Sequence, residues 1–137
     1  MGPYVINDLK LLHSLPGADA VVPAADKAFG VQCVGLVKTY SKAGGTFSWT
    51  AGDQVMSTPA LKPGTAIATF NAKGRYESHS HGNHACFFIR FTGDGFLVLE
   101  QHVQPNRNKI QSRLVRSRGT DKSVSASDNA DAYAVIK

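Results

Sequence analysis

His84-Ala85-Cys86-Phe87-Phe88-Ile89-Arg90-Phe91-Thr92-Gly93-Asp94-Gly95-Phe96-Leu97-Val98-Leu99-Glu100-Gln101-His102-Val103 is the stretch that decides the fold class. Two apolar runs flank Thr92-Gly93-Asp94-Gly95, which predicts an antiparallel hairpin with strands over 84–91 and 96–103. Side chains alternate across a strand, so His84, Cys86 and Phe88 share one face. On the return strand Phe96, Val98, Glu100 and His102 do the same. A charged and an ionisable residue at the end of a buried strand pair call for a reason beyond packing. For Glu100 and His102 to join His84 on its face, the connection needs an odd number of residues. A three-residue loop, Gly93-Asp94-Gly95 with Gly95 left-handed, meets that condition.

Working outward, Thr65-Ala66-Ile67-Ala68-Thr69-Phe70 reads as another strand, and 110–116 and 133–136 as two more. Residues 71–83 are a polar loop rich in Gly, Ser and His. Upstream, Val5, Leu9 and Leu12 recur at helical spacing and predict a helix over 4–15, ended by Pro16-Gly17. A second helix is predicted over Cys33–Ala43, with Val34, Val37 and Tyr40 on one face and Gly44-Gly45 as its stop. The segment around Trp49, through Pro59 and Pro63, reads as an irregular connection, with Trp49 in the core or a lid. Helices first and antiparallel strands after give an α+β class, with N-terminal helices packed on an antiparallel sheet. A chain of 137 residues is expected to form one domain.

Composition narrows the function classes. The chain is 42% apolar and 18% charged, which is globular rather than disordered, and no apolar run is long enough for a membrane span. The net charge of +5 is spread along the chain. Its densest stretch holds Arg107, Lys109, Arg113, Arg116, Arg118 and Lys122, which reads as a solvated strand and loop. No recognition motif or aromatic stacking pattern accompanies it, so neither nucleic acid nor membrane is expected as a partner. Two cysteines are not a disulfide framework. No Sec signal is visible at the N-terminus, so synthesis in the cytoplasm is expected.

Cys33 lies where a loop meets a predicted helix. A helix N-terminus favours a thiolate, and an imidazole opening a later strand can take and return its proton. Cys33 is thus the candidate nucleophile and His84 the candidate base. Glu100 is placed to orient the imidazole, a role His102 could fill instead. The Cys33 backbone N–H, helped by Gln32, is the candidate oxyanion donor. Arg75, Tyr76 and Asn83 flank the expected cleft as substrate-binding residues that could grip a carboxylate. Cys86, inside an apolar strand, reads as packing. His79, His81 and His84 invite a zinc reading, but they span a loop and lack a second ligand pair at set spacing. No metal or cofactor is expected; a zinc-dependent hydrolase stays an alternative, as does a non-catalytic binding module.

These residues resemble a known family. Gln32-Cys33-Val34-Gly35-Leu36-Val37 looks like the Asp-Cys-Ser-Gly-Leu-Val signature of NlpC/P60 peptidoglycan peptidases. Leu61-Lys62-Pro63-Gly64-Thr65-Ala66-Ile67 resembles their Leu-x-Pro-Gly-Asp-Leu-Val strand, and His84-Ala85-Cys86-Phe87-Phe88-Ile89 their His-Val-Gly-Ile-Tyr-Ile strand. Glu100-Gln101-His102 is similar to the Glu-x-Asn end of CHAP amidases. The overall likeness is greatest to BPSL0067-type proteins and type VI secretion amidase effectors, through Gly74-Arg75-Tyr76, the Ser-His-Gly-Asn-His run of 80–84 and Asp131-Ala132-Tyr133. Gln32 departs from the acidic residue of the first signature, and His102 from the Asn of the CHAP pattern. The resemblance implies a papain-like fold and a cysteine amidase that cuts the peptide stems or cross-links of peptidoglycan. It further implies a monomeric antibacterial toxin, delivered by a type VI system to a target cell's periplasm and restrained by a cognate immunity protein.

Overall fold

The computed structural model of the chain describes residues 3–77 and 82–137. A six-stranded, wholly antiparallel sheet organises it. The strands are β1 (Ala51–Gln54), β2 (Ala66–Thr69), β3 (Ala85–Phe91), β4 (Gly95–Gln101), β5 (Ile110–Arg116) and β6 (Tyr133–Ile136). They lie in the order β1-β6-β2-β3-β4-β5, so the two long apolar strands sit inside and the polar, Gly-containing β1 at an edge. The α+β class and the five strands expected from the sequence are present. β1 is an addition: Ala51-Gly52-Asp53-Gln54 has no apolar alternation and pairs only with β6.

β3 is buried on both faces, which explains its unbroken apolar run. On one face Ala85, Phe87 and Ile89 meet helix α2 (Val34–Tyr40), whose Val34, Leu36 and Val37 are buried against them with Trp49. On the other, Cys86 and Phe88 join Ile67, Phe96, Val98 and Tyr133. Trp49 is a core residue, with its indole N–H donating to the Ala43 carbonyl at 3.0 Å.

The first helix is shorter than its periodicity predicts. Only Leu11–Ser14 (α1) is helical, because the Asp8 carboxylate accepts the Lys10 N–H and starts the turn there. Upstream, the chain bonds to the sheet instead: Ile6 N–H to Gly64 O (2.8 Å) and Ala66 N–H to Tyr4 O (2.8 Å). Tertiary hydrogen bonds override the local pattern. α2 likewise begins at Val34 and ends at Tyr40, with Cys33 as the residue just before it.

The hairpin reaches the required register by a different route. Phe91 pairs with Phe96, which leaves an even number of residues, Thr92–Gly95, between that pair, and Gly95 opens β4 without being left-handed. That even loop alone would put Glu100 on the wrong face. A bulge at Ile89 corrects it: Arg90 pairs with Leu97 but Phe88 with Val98, so two residues of β3 advance against one of β4. Beyond the bulge, Phe87 faces Leu99, which carries Cys86 and Glu100 to the same side.

Candidate active site

Two segments carry Cys33 to the end of the sheet. Residues 17–20 pair with the start of β5, through Gly17 N–H to Ile110 O, Ile110 N–H to Ala18 O and Ala20 N–H to Asn108 O. The chain then passes Gln101, a fully buried side chain at the end of β4. Its amide oxygen accepts the Val21 N–H at 2.8 Å, while its nitrogen donates to Val21 O (2.9 Å) and Gln32 O (2.7 Å). A trans peptide is planar, with its carbonyl and N–H pointing opposite ways. Holding Gln32 O into the protein therefore turns the Cys33 N–H the other way, and that N–H has no protein acceptor among the described residues. Gly35 permits this close packing: a Cβ there would lie 2.8 Å from Val21 O and 3.0 Å from Gln101 Nε2.

His84 immediately precedes β3 and is held by its backbone on both sides. Its N–H donates to Thr69 Oγ1 at 3.0 Å, and its carbonyl accepts the Thr69 N–H at 3.0 Å. The ring is buried, and Nε2 lies 2.8 Å from Glu100 Oε1. That leaves Nδ1 for Cys33, with which the imidazole shares a hydrogen bond and charge attraction.

Glu100 is fully buried, yet neither carboxylate oxygen lacks a partner. Oε1 bonds His84, while Oε2 accepts from Gln111 Nε2 (2.7 Å) and Arg113 Nε (2.7 Å). Arg113 is anchored in turn by Asp128 Oδ1 (2.9 Å) and the Ser127 carbonyl (3.1 Å). A line of hydrogen bonds thus runs from Asp128 through Arg113 and Glu100 to His84, with Cys33 beyond the ring. Arg113 is no solvated charge, as the sequence suggested; it neutralises the buried carboxylate. Burial alone would push Glu100 toward its neutral form, but His84 and Arg113 together hold it below its usual range.

The same balance sets the thiol and the imidazole. Burial opposes ionisation of Cys33, but hydrogen bonding and charge from His84, the Tyr76 hydroxyl and the Ala85 N–H outweigh it and lower its pKa. Burial also opposes a charged His84, but Cys33 and Glu100 raise it to about 9. The arrangement favours a thiolate–imidazolium pair. Since α2 is only seven residues long, side-chain partners rather than a helix dipole dominate.

Tyr76 reaches Cys33 Sγ at 3.6 Å, and its hydroxyl accepts from Asn83 Nδ2 at 2.9 Å, so its own proton is available to the sulfur. Its ring stands edge-on to Trp49 and Phe70. Burial, then the Cys33 charge, push its pKa well up and keep it a donor.

These groups open on a cleft of about 720 Å³, which Gln32, Cys33, Tyr76, Asn83, His84 and His102 all line. His102 is not a partner of the His84 ring; Glu100 holds the orienting position. Arg75 does not line the cleft. Its guanidinium donates to the Phe47 carbonyl and its backbone bridges to Thr50, which ties it to the β1 edge. Cys86 sits in the apolar layer beneath, its thiol pushed up by burial. Among the described residues no three metal-ligating side chains gather, and His79 and His81 lie outside the described residues. Gln101, Gln111 and Arg113 were missed from sequence. The alternation of β5 offered a signal, since 111, 113 and 115 share a face and a buried Glu demands a cation.

Comparison with known proteins identifies the family. The profile of the family described as domesticated amidase effector 2 (Dae2) matches residues 19–136. The chain is 35% identical over 115 residues to a type VI secretion amidase effector 2 protein of Salmonella typhi, covering 77% of this chain and 84% of that protein. Its fold is similar to a solved type 6 secretion amidase effector 2 (Tae2) structure, with a TM-score of 0.74 and 28% identity over 93% of this chain and 91% of the other. The family match over residues 19–136, the 35% identical relative and the shared fold together place this protein in the Dae2/Tae2 family of type VI secretion amidase effectors.

Proposed function

We propose that this family member is a cysteine amidase that hydrolyses amide bonds in the peptide stems or cross-links of peptidoglycan, on a papain-like framework of the NlpC/P60 kind. The observation that carries the reading is the Cys33–His84–Glu100 line with Arg113 behind it. Membership of an amidase effector family implies hydrolysis; the thiol and its partners supply the means. The Cys33 thiolate attacks the amide carbonyl, forming the S–C bond. The oxyanion is met by the Cys33 N–H and, once the sulfur has bonded carbon, by the Tyr76 hydroxyl, with the Gln32 amide beside them. Imidazolium His84 gives its Nδ1 proton to the leaving amine as the C–N bond breaks. Neutral His84 then takes a proton from water, which attacks the thioester and releases the acid and the free thiolate. Glu100 keeps the ring oriented and its charged form stable through both steps.

The chain is read as an antibacterial effector delivered into a target cell, acting as a monomer and held in check by a cognate immunity protein. No helix among the described residues is long and apolar enough to cross a membrane. Iodoacetamide tests the chemistry. At neutral pH, loss of peptidoglycan hydrolysis is expected to track one carboxamidomethyl group on Cys33, with buried Cys86 unlabelled. Full activity after stoichiometric alkylation of Cys33 would refute the reading.

A further inference from the structure

The cleft holds a charge that hydrolysis does not use. Arg113 and Asp128 both reach it, but they bond to each other, and Arg113 is also taken by Glu100. Arg107, on the loop after β4, lines the same cleft and has no carboxylate partner among the described residues. Its side-chain neighbour is the neutral amide of Gln104. In the amide orientation that satisfies both groups, that oxygen accepts from Arg107 Nε at 3.2 Å and Nη2 at 2.9 Å. An amide aligns a guanidinium without cancelling its charge, and the other N–H groups are left for a ligand.

His102, close enough to feel the Arg107 charge, is held at a cost. Its φ is 65°, and it is the one non-glycine residue with positive φ among those described. Its Nδ1 is buried without a partner. Such costs persist where the surroundings enforce them, and they cluster at ligand sites. A tautomer with the proton on Nε2 leaves only a lone pair buried and presents a neutral N–H donor.

We propose that Arg107 and His102 form a subsite for a free carboxylate of the substrate, so that the enzyme selects stem peptides bearing an ionised carboxyl near the amide it cuts. The proposal rests on the amidase reading. Arg supplies the planar fork that matches a carboxylate, and His102 adds a third donor. The substrate class has the group required. A γ-linked glutamyl residue keeps its α-carboxylate, and diaminopimelate joined through one centre keeps the carboxylate of the other. The sequence pointed to Arg75 for this task, but Arg75 is tied to the β1 edge and does not line the cleft; Arg107 lines it with no carboxylate partner among the described residues.

The test separates binding from catalysis. The Cys33→Ala protein is titrated calorimetrically with a stem tetrapeptide (L-Ala-γ-D-Glu-diaminopimelate-D-Ala) and with the same peptide carrying amidated carboxyls. The free-carboxylate form is expected to bind at least tenfold more tightly. Adding Arg107→Gln should erase that preference, and Arg107→Lys should restore part of it. Equal affinity for the two peptides, no binding of either, or a preference that survives Arg107→Gln overturns the subsite. Wild-type digestion of sacculi is scored separately. Absent digestion with intact carboxylate preference defeats the amidase reading alone, whereas digestion without that preference defeats the subsite alone.

Discussion

Glu100 shows how a single buried charge organises the site. With its side chain out of water and three donors on two oxygens, it stays ionised and holds His84 in one ring orientation. Glu100→Gln keeps the shape but loses the charge, and is expected to lower kcat by a hundredfold or more and to lower the melting temperature at neutral pH. Glu100→Ala leaves Arg113 facing an empty site and should also cost about 3 kcal/mol of stability, read from urea unfolding. Gln101 is the second residue of this kind. Gln101→Leu strands the Val21 backbone and part of the Gln32 carbonyl. It should remove roughly 2–4 kcal/mol and slow hydrolysis, while the pH profile of Cys33 alkylation stays as in the wild type. A shifted alkylation profile would show that Gln101 acts on the thiol instead of on the oxyanion N–H. Cys33, His84 and Glu100 were legible in sequence because strand alternation and motif order mark them. Gln101 and Arg113 were not, since their roles depend on the loop at Val21 and on the β4–β5 register, which no local pattern encodes.

At the level of elements, the site depends on one bulge and one glycine. Ile89 supplies the extra residue that brings Cys86 and His84 to the side of Glu100. Deleting Ile89 would flip 84–88 to the other face and is expected to abolish hydrolysis; a deleted protein that still digests sacculi would show that the bulge does not set the register. The parity the hairpin needs is legible in the sequence, but the bulge rather than the loop supplies it. Bulges leave little trace in composition, and Thr92-Gly93-Asp94-Gly95 is as compatible with a four-residue turn as with a three-residue one. Gly35 lets α2 approach Val21 and Gln101. Gly35→Ala should destabilise by about 1–3 kcal/mol and reduce activity, measured together by thermal melting and muropeptide release. The predicted 4–15 helix failed for a related reason: its N-terminal half completes the sheet edge near Gly64 and Thr65, a non-local contact.

For the molecule as a whole, the coupled groups predict how activity and stability follow pH. The proposed mechanism needs the thiolate and the imidazolium together. The rate should rise through the lowered Cys33 pKa and fall again near pH 9, where His84 loses its proton. Stability has its own window. Glu100 is depressed in the fold, so its contribution is full above about pH 4.5 and is lost as pH falls further. His84 is raised, so its contribution is full below about pH 6.5 and is lost as pH rises through 9. Between about pH 6.5 and 9 that loss is offset by the lowered Cys33 thiol, which gives up its proton in the fold but keeps it in the unfolded chain, so thermal melts from pH 3 to 10 should rise to a plateau above about pH 4.5.

The central claim, that Cys33 is the nucleophile of a peptidoglycan amidase, meets its most direct test in mass spectrometry of the soluble muropeptides released from purified sacculi. The wild-type protein is expected to release peptides with a new free amine and carboxylate at one stem or cross-link amide, and Cys33→Ala, folded to the same melting temperature, at least a thousandfold less. Equal release by Cys33→Ala would contradict the account.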